Sequence, residues 1–272
     1  MIDLHAHTTV SDGCLRPRDL VRAAARAGVT VLAVTDHDTT DGLDEALAEG
    51  AAAGVRVIPG LELSAHAGMD VHLLGYFIDP REPALAALLA ALRRGRTERI
   101  RAMVGRLQEA GVRVTEEEIF AEAAGGSPSR AHVARVLVRR GICPTTARVF
   151  EKYLGRHARA YVPSNDLPPR EAVARIRGAG GIPVLAHPVD LADDGIIPAL
   201  VRDGIEGLEA FSRDARPSEV ERYVRIARDF GLLVTGGSDF HGGDGFNRSL
   251  GEQTCPGEAF ALLEARTASR GR

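Results

Sequence analysis

The sequence predicts an α/β fold: a closed or nearly closed barrel of seven β/α units interrupted by a helical insertion. Two observations lead there. Short apolar runs of strand length alternate with amphipathic helical stretches, and proline or glycine marks most helix ends. One long segment, residues 82–159, breaks that rhythm and holds no convincing strand.

Strands are expected at residues 2–5, 30–35, 56–60, 70–76, 182–186, 204–210 and 232–236, running parallel. Helices follow most of them. The first, 17–27, starts at Pro17 and stops at Gly28, the usual asymmetry of helix ends. The stretch 41–53 runs into Gly54, 169–179 into Gly180, and 217–230 into Gly231. Seven units are one short of a TIM barrel, and residues 1–81 with 160–272 are assigned to it.

The insertion, 82–159, is expected to hold three helices. Residues 85–107 are rich in Ala, Leu and Arg. Residues 115–124 open with Thr115 and then Glu116, Glu117 and Glu118, a good start by capping and helix dipole. Residues 132–140 end at Gly141. So long a segment is too long for an unstructured loop. A helical lid beside a barrel mouth often supplies substrate contacts.

Composition narrows the function. The 272 residues are 44% hydrophobic and 26% charged, an ordinary globular balance. A net charge of -3 sets up no global field for nucleic acid or membrane. Lys152 is the only lysine. Cys14, Cys143 and Cys255 are scattered and form no CxxC pair, which suits a reducing compartment. The first residues lack a basic segment followed by an apolar run, and no apolar stretch reaches the ~20 residues needed to span a bilayer. A cytoplasmic protein is expected.

The chemistry lies in where the His, Asp and Glu residues fall. His5 and His7 end the first strand, two residues apart and so on one face, and Asp12 follows in the loop. His37 ends the second strand, Glu62 follows the third, and His187 ends the fifth. Asp239 and His241 end the seventh, while His72 lies inside the fourth and would have to point into the barrel. A lone histidine is usually a surface or satisfied core residue. Six of the nine histidines placed in this way are poorly explained by chance. His66 is read as a loop residue. The carboxyl end of barrel strands is where active sites are built. Imidazole with carboxylate favours Zn, Mn or Fe, and nine candidates suit two or three divalent ions with a bridging carboxylate such as Glu62.

These same residues carry a family resemblance. His5-Ala6-His7 with Asp12, Thr35-Asp36-His37-Asp38, Glu62, His72, His187-Pro188 and Ser238-Asp239-Phe240-His241 resemble the motifs of the PHP (polymerase and histidinol phosphatase) superfamily of metal-dependent phosphoesterases. The likeness runs along the whole chain and is strongest to the 3',5'-nucleoside bisphosphate phosphatase and AMP phosphatase branch. It implies a distorted (β/α)7 TIM-like barrel with a helical insertion after the fourth strand and a trinuclear metal centre. It also implies a partition of ligands: His5, His7, Glu62 and Asp239 for one ion, Glu62, His72 and His187 for a second, and Asp12, His37 and His241 for a third.

The implied reaction is hydrolysis of a phosphate monoester of a small nucleotide by metal-activated hydroxide, with His187, Asp239 and His241 as catalytic residues. For the leaving group, His241, a bound water and His132 are all candidate acids. Ser129-Arg130-Ala131-His132 resembles the family's Arg-Pro-His motif with alanine for proline, so Arg130 and His132 are expected to bind the substrate phosphate. The same residues would also suit a helix start capped by Ser129. Asp36 and Asp38 could orient imidazoles, or Asp38 could cap the next helix. The loop 242–247, with Phe246 and Arg248, could touch a second phosphate or a base, although an ordinary connection is the simpler reading.

Alternatives within phosphoesterases are 5'-3' exonuclease action on short oligonucleotides and histidinol-phosphate phosphatase. The absence of a basic patch argues against long nucleic acid. A C–N hydrolase of the amidohydrolase type shares the His-x-His start, but its common dinuclear form needs a barrel lysine and Lys152 lies in the insertion. A barrel kept only for interaction should have lost ligands, and here nine remain.

Overall fold

The computed structural model describes residues 1–163, 167–191, 193–242 and 249–270. Seven strands form one sheet in chain order: β1 (Ile2–Asp3), β2 (Val31–Val34), β3 (Arg56–His66), β4 (Asp70–Tyr76), β5 (Ile182–Leu185), β6 (Gly207–Phe211) and β7 (Leu233–Gly236). Leu4 N donates to Gly236 O at 3.2 Å and His7 N to Phe240 O at 2.9 Å, which closes the sheet into a barrel. A side chain at Gly237 would put Cβ 2.4 Å from His5 N, so this close approach of β7 to β1 needs glycine.

The all-parallel expectation is wrong for one strand. β4 runs antiparallel to both β3 and β5, while the other neighbours are parallel. Parallel neighbours need a crossover of a dozen or more residues. Only residues 67–69 separate β3 from β4, with Gly68 at φ 72°. The reversal brings Asp70 and His72, at the start of β4, to the barrel end where the parallel strands finish. β3 is also longer than expected. Glu62 therefore lies inside the strand, and His66 is its last residue, with Nδ1 3.4 Å from Asp70 Oδ1, instead of lying in a loop.

Helices α1 (Pro17–Arg26) and α2 (Leu43–Ala53) follow β1 and β2. Between β4 and β5 come α3 (Pro83–Glu109), α4 (Glu116–Glu122), α5 (Arg130–Arg139), α6 (Thr146–Val149), a π-helical turn (Phe150–Leu154) and α7 (Pro169–Gly178). Helices α8 (Ile197–Asp203), α9 (Pro217–Asp229) and α10 (Gly257–Ala268) complete the chain. α4 is capped as its sequence predicts: Thr115 Oγ1 accepts from Glu118 N, and the Glu118 carboxylate accepts from Thr115 N.

α3 belongs to two apolar clusters. Its first turns bury Leu85, Leu89 and Leu92 in the cluster shared with the barrel. Its later turns bury Ile100, Met103, Val104 and Leu107 against Val133, Val136, Leu137 and Leu154. One rigid rod thus ties the inserted helices to the barrel. Among the described residues, no helix is long and apolar enough to cross a membrane.

Candidate metal centre

The nine predicted residues converge at one end of the barrel. Glu62 is at the centre. Its Oε2 lies 3.0 Å from His37 Nδ1 and 3.3 Å from both His5 Nε2 and His7 Nε2. Its Oε1 lies 2.9 Å from His72 Nδ1 and 3.0 Å from His187 Nε2. Asp239 Oδ1 is 3.1 Å from His7 Nε2 and 3.4 Å from His5 Nε2. Asp12 Oδ1 is 3.3 Å from His241 Nε2, and Asp12 Oδ2 is 3.9 Å from His37 Nε2.

Local backbone sets this arrangement. His5 and His7 alternate inward along the extended end of β1. The turn that brings Asp12 back rests on Gly13, where a Cβ would lie 2.3 Å from His7 O. Three non-glycine rim residues, Asp38, His187 and Asp239, have positive φ of 52°, 25° and 50°. Such strain persists only where the surroundings over-determine it, and it clusters at functional sites.

Several imidazoles have one nitrogen held from outside and the other aimed inward. His5 Nδ1 pairs with Glu209 Oε1 at 2.9 Å. His187 Nδ1 pairs with Asp190 Oδ2 at 3.2 Å. His241 Nδ1 lies 2.9 Å from the Asp239 carbonyl oxygen. Each outer contact suits a protonated Nδ1 and leaves a lone pair on Nε2, the form that binds metal.

The charges are tightly opposed. Burial works against a charge on every group, yet Glu62, Asp12 and Asp239 lie well below the usual carboxylate range. Nearby imidazoles hold Glu62 and Asp12 there, and Arg213 with His5 and His241 holds Asp239. Burial likewise opposes the imidazolium of His5, His7 and His187. Glu209, Asp239 and Glu62 overcome it and raise His5 well above its ordinary value. Contacts with Asp239 and Glu62 take His7 to about 10, and those with Asp190 and Glu62 take His187 to about 9. At His37 burial wins and the pKa falls well below the ordinary value.

This donor set fits divalent cations. Three groups have ligand atoms within 4.8 Å of one another: His7, Asp12, His37 and His241; His5, His7 and Asp239; and His37, Glu62 and His72. Both ring nitrogens of His7 are buried and make no hydrogen bond of acceptable geometry, although carboxylate oxygens lie close to Nε2. A cation between them would satisfy both sides.

The cluster forms the floor of a cavity of about 200 Å³, with Arg96 and Arg99 from α3, Arg130 from α5 and Phe150 from the π-helical turn on its walls. Arg130 is on the wall. His132 is not among the described wall residues. Its Nδ1 accepts from Ser129 N at 3.0 Å, and burial lowers its pKa to about 4. It is thus a neutral partner in the capping of α5. Asp36 and Asp38 do not orient imidazoles. Asp36 accepts from Thr8 N, Thr8 Oγ1 and Ser11 Oγ. Asp38 accepts from Arg96 Nε at 2.6 Å and Ser64 N at 2.8 Å, and the residue before α2 is Gly42. Of the loop expected to touch a second phosphate or base, residues 243–248, including Phe246 and Arg248, lie outside the described residues.

Sequence reasoning missed three residues. Glu209 is a buried carboxylate in the otherwise apolar β6, and that inward charge was the available signal. Asp190 sits in the turn after His187 and had no distinguishing pattern. Arg213 lines the cavity, with Nε 2.8 Å from Asp239 Oδ2 and Nη2 2.9 Å from Asp190 Oδ2.

Comparison with known proteins agrees with this geometry. Residues 3–140 match the model of the PHP domain. A 3',5'-nucleoside bisphosphate phosphatase from Chromobacterium violaceum is 38% identical over 258 residues, 92% of this chain and 90% of that protein. A 5'-3' exoribonuclease from Haemophilus influenzae is 35% identical over 247 residues, 88% of this chain and 89% of that protein. A crystal structure from Bifidobacterium adolescentis, provisionally described as a metal-dependent phosphoesterase, superposes with a TM-score of 0.89 at 34% identity, covering 97% of this chain and 95% of that one.

Proposed function

We propose, from the premise that this chain belongs to the PHP domain family, that it is a metal-dependent phosphoesterase cleaving a phosphate monoester of a small nucleotide, a 3',5'-nucleoside bisphosphate or an AMP-like molecule. The observation that carries this reading is the convergence of six imidazoles and three carboxylates on one cavity floor, with Glu62 touching five of the imidazoles.

In this reading His5, His7, Asp12, His37, Glu62, His72, His187, Asp239 and His241 hold two to three ions of Mn, Fe or Zn. Glu62 would contribute both of its oxygens to the ions, because they face different imidazoles. Such ions supply a water acidic enough to ionise near neutral pH and positive charge for the phosphoryl oxygens. His187, Asp239 and His241 line the cavity, where they would act on the scissile phosphate. Arg130 offers its guanidinium fork to a substrate phosphate. Residues 82–159 act as a lid that carries Arg130 over the barrel, the remaining residues forming the catalytic barrel. The three free cysteines suit a reducing compartment, which supports the cytoplasm as its location.

A second reading, removal of nucleotides from the 5'-end of short oligonucleotides, draws support from the similarity to the exoribonuclease. Phosphate release from adenosine 3',5'-bisphosphate, AMP, short oligonucleotides and histidinol phosphate separates them. The proposal expects the bisphosphate or AMP to be preferred. Preference for histidinol phosphate would overturn the nucleotide assignment.

A further inference from the structure

We infer that Arg135 is a positioning residue for the metal centre: from α5 of the insertion it fixes the turn that presents Asp12, so the ion position formed by His7, Asp12, His37 and His241 depends on the inserted helices. This rests on the metal-centre reading.

Asp12 lies on a turn, residues 8–14, between β1 and α1. The turn closes on itself, with Ser11 N and Gly13 N both donating to Thr8 O, at 3.1 and 2.8 Å. It also reaches a second ligand candidate, because Cys14 N donates to His241 O at 2.7 Å. Movement of this turn therefore displaces a carboxylate and an imidazole of one group, whose donor atoms lie within 4.8 Å of one another.

The insertion holds the turn at three points. Arg135 Nη1 donates to Asp12 O at 3.0 Å. Ser127 N, shortly before α5, donates to Val10 O at 2.7 Å. Gly126 packs so closely that a Cβ there would lie 2.4 Å from Thr9 O and 2.8 Å from Val10 O. Arg135 is itself anchored, with Nε donating to Glu122 Oε1 of α4 at 3.2 Å. A planar guanidinium held at Nε presents Nη1 in a set direction. A further link from the insertion ends beside His37, where Arg96 Nε donates to Asp38 Oδ2 at 2.6 Å.

Other parts of the cluster are supported differently. The outer nitrogens of His5 and His187 face Glu209 and Asp190, both of the barrel. One ion position thus takes its outer support from the insertion, while these two imidazoles take theirs from the barrel. Such coupling is reciprocal, so metal occupancy at Asp12 and docking of the inserted helices favour each other.

The test titrates Mn²⁺ by calorimetry into metal-free wild type, Arg135→Met, Asp12→Asn and the double variant. Methionine keeps an apolar stem and removes the donors. Arg135→Met should weaken one ion per chain about 10–100-fold, the range for groups that orient ligands, and leave the others within about twofold. Asp12→Asn should weaken the same step, and adding Arg135→Met to it should change nothing further. Arg135→Lys keeps a donor and should recover part of the loss. Equal weakening of every ion, or an Arg135→Met effect that persists in full without the Asp12 carboxylate, would overturn the inference. Hydrogen exchange on metal-free protein separates the two possible failures. The amides of residues 9–14 should exchange faster in Arg135→Met than in the wild type, even if the wild type takes up no Mn²⁺ and the metal-centre reading fails. Unchanged exchange there would overturn the role of Arg135.

Discussion

Glu209 Oε1 lies 2.9 Å from His5 Nδ1, and the other oxygen of the same carboxylate accepts from the backbone N of His187 at 2.7 Å. One buried group on β6 therefore sets the ring of one ligand candidate and the backbone of another. β6 contributes no ligand candidate, yet it orients two. Partners of this kind typically matter 10–100-fold for metal affinity. Glu209→Gln should lower affinity for Mn or Zn by about that factor while the circular dichroism spectrum is retained. Unchanged affinity would remove Glu209 from the account.

Asp3 has a structural role at the barrel seam. Its carboxylate accepts from Ser238 N at 2.9 Å, Ser238 Oγ at 2.7 Å and Gly251 N at 2.9 Å. Asp3→Ala leaves these donors unpaired and should destabilise the fold by about 2–4 kcal/mol in denaturant titration. A loss below about 0.5 kcal/mol, the usual size for a surface change, would show that the seam does not depend on it.

Metal and protons compete at the cluster. In the metal-free chain His7 is raised to about 10 and His187 to about 9. A raised imidazole stabilises the fold fully below its unfolded value of about 6.5, and that contribution is lost as pH rises through the folded value. Bound metal needs neutral imidazole, so its affinity moves the opposite way. The gap in Tm between metal-loaded and chelator-treated protein should widen from about pH 6.5 to about pH 9. A gap that narrows over that range would contradict the charge assignment.

His187 and Asp239 face the cavity and the cluster together. His187→Ala or Asp239→Ala should abolish phosphate release while thermal melts stay cooperative. Retained turnover in either variant would break the proposed site.

Much of this was legible in the sequence. Six of the seven strands fall within a few residues of the apolar runs, because buried barrel strands read as short continuous apolar segments, while β3 starts at the expected residue but runs on to His66. The positions of His5, His7, His37 and His187 at strand ends were enough to bring them together. The direction of β4 was missed, although the short link around Gly68 could not carry a parallel crossover. That reversal explains why His72, inside its strand, still reaches the rim. The walls were harder to read. Arg96, Arg99 and Phe150 come from a helix and a π-helical turn whose angle to the barrel depends on the packing of α3 in two clusters, a tertiary effect without a local pattern. His132 matched a motif, yet its ring is used to cap α5.

The central claim is that the nine residues hold metal. Elemental analysis of protein purified without chelator tests it most directly. At least two Mn, Fe or Zn per chain are expected of a site with this many ligands. Fewer than one metal per chain in folded protein, with none taken up on dialysis against these ions, would contradict it.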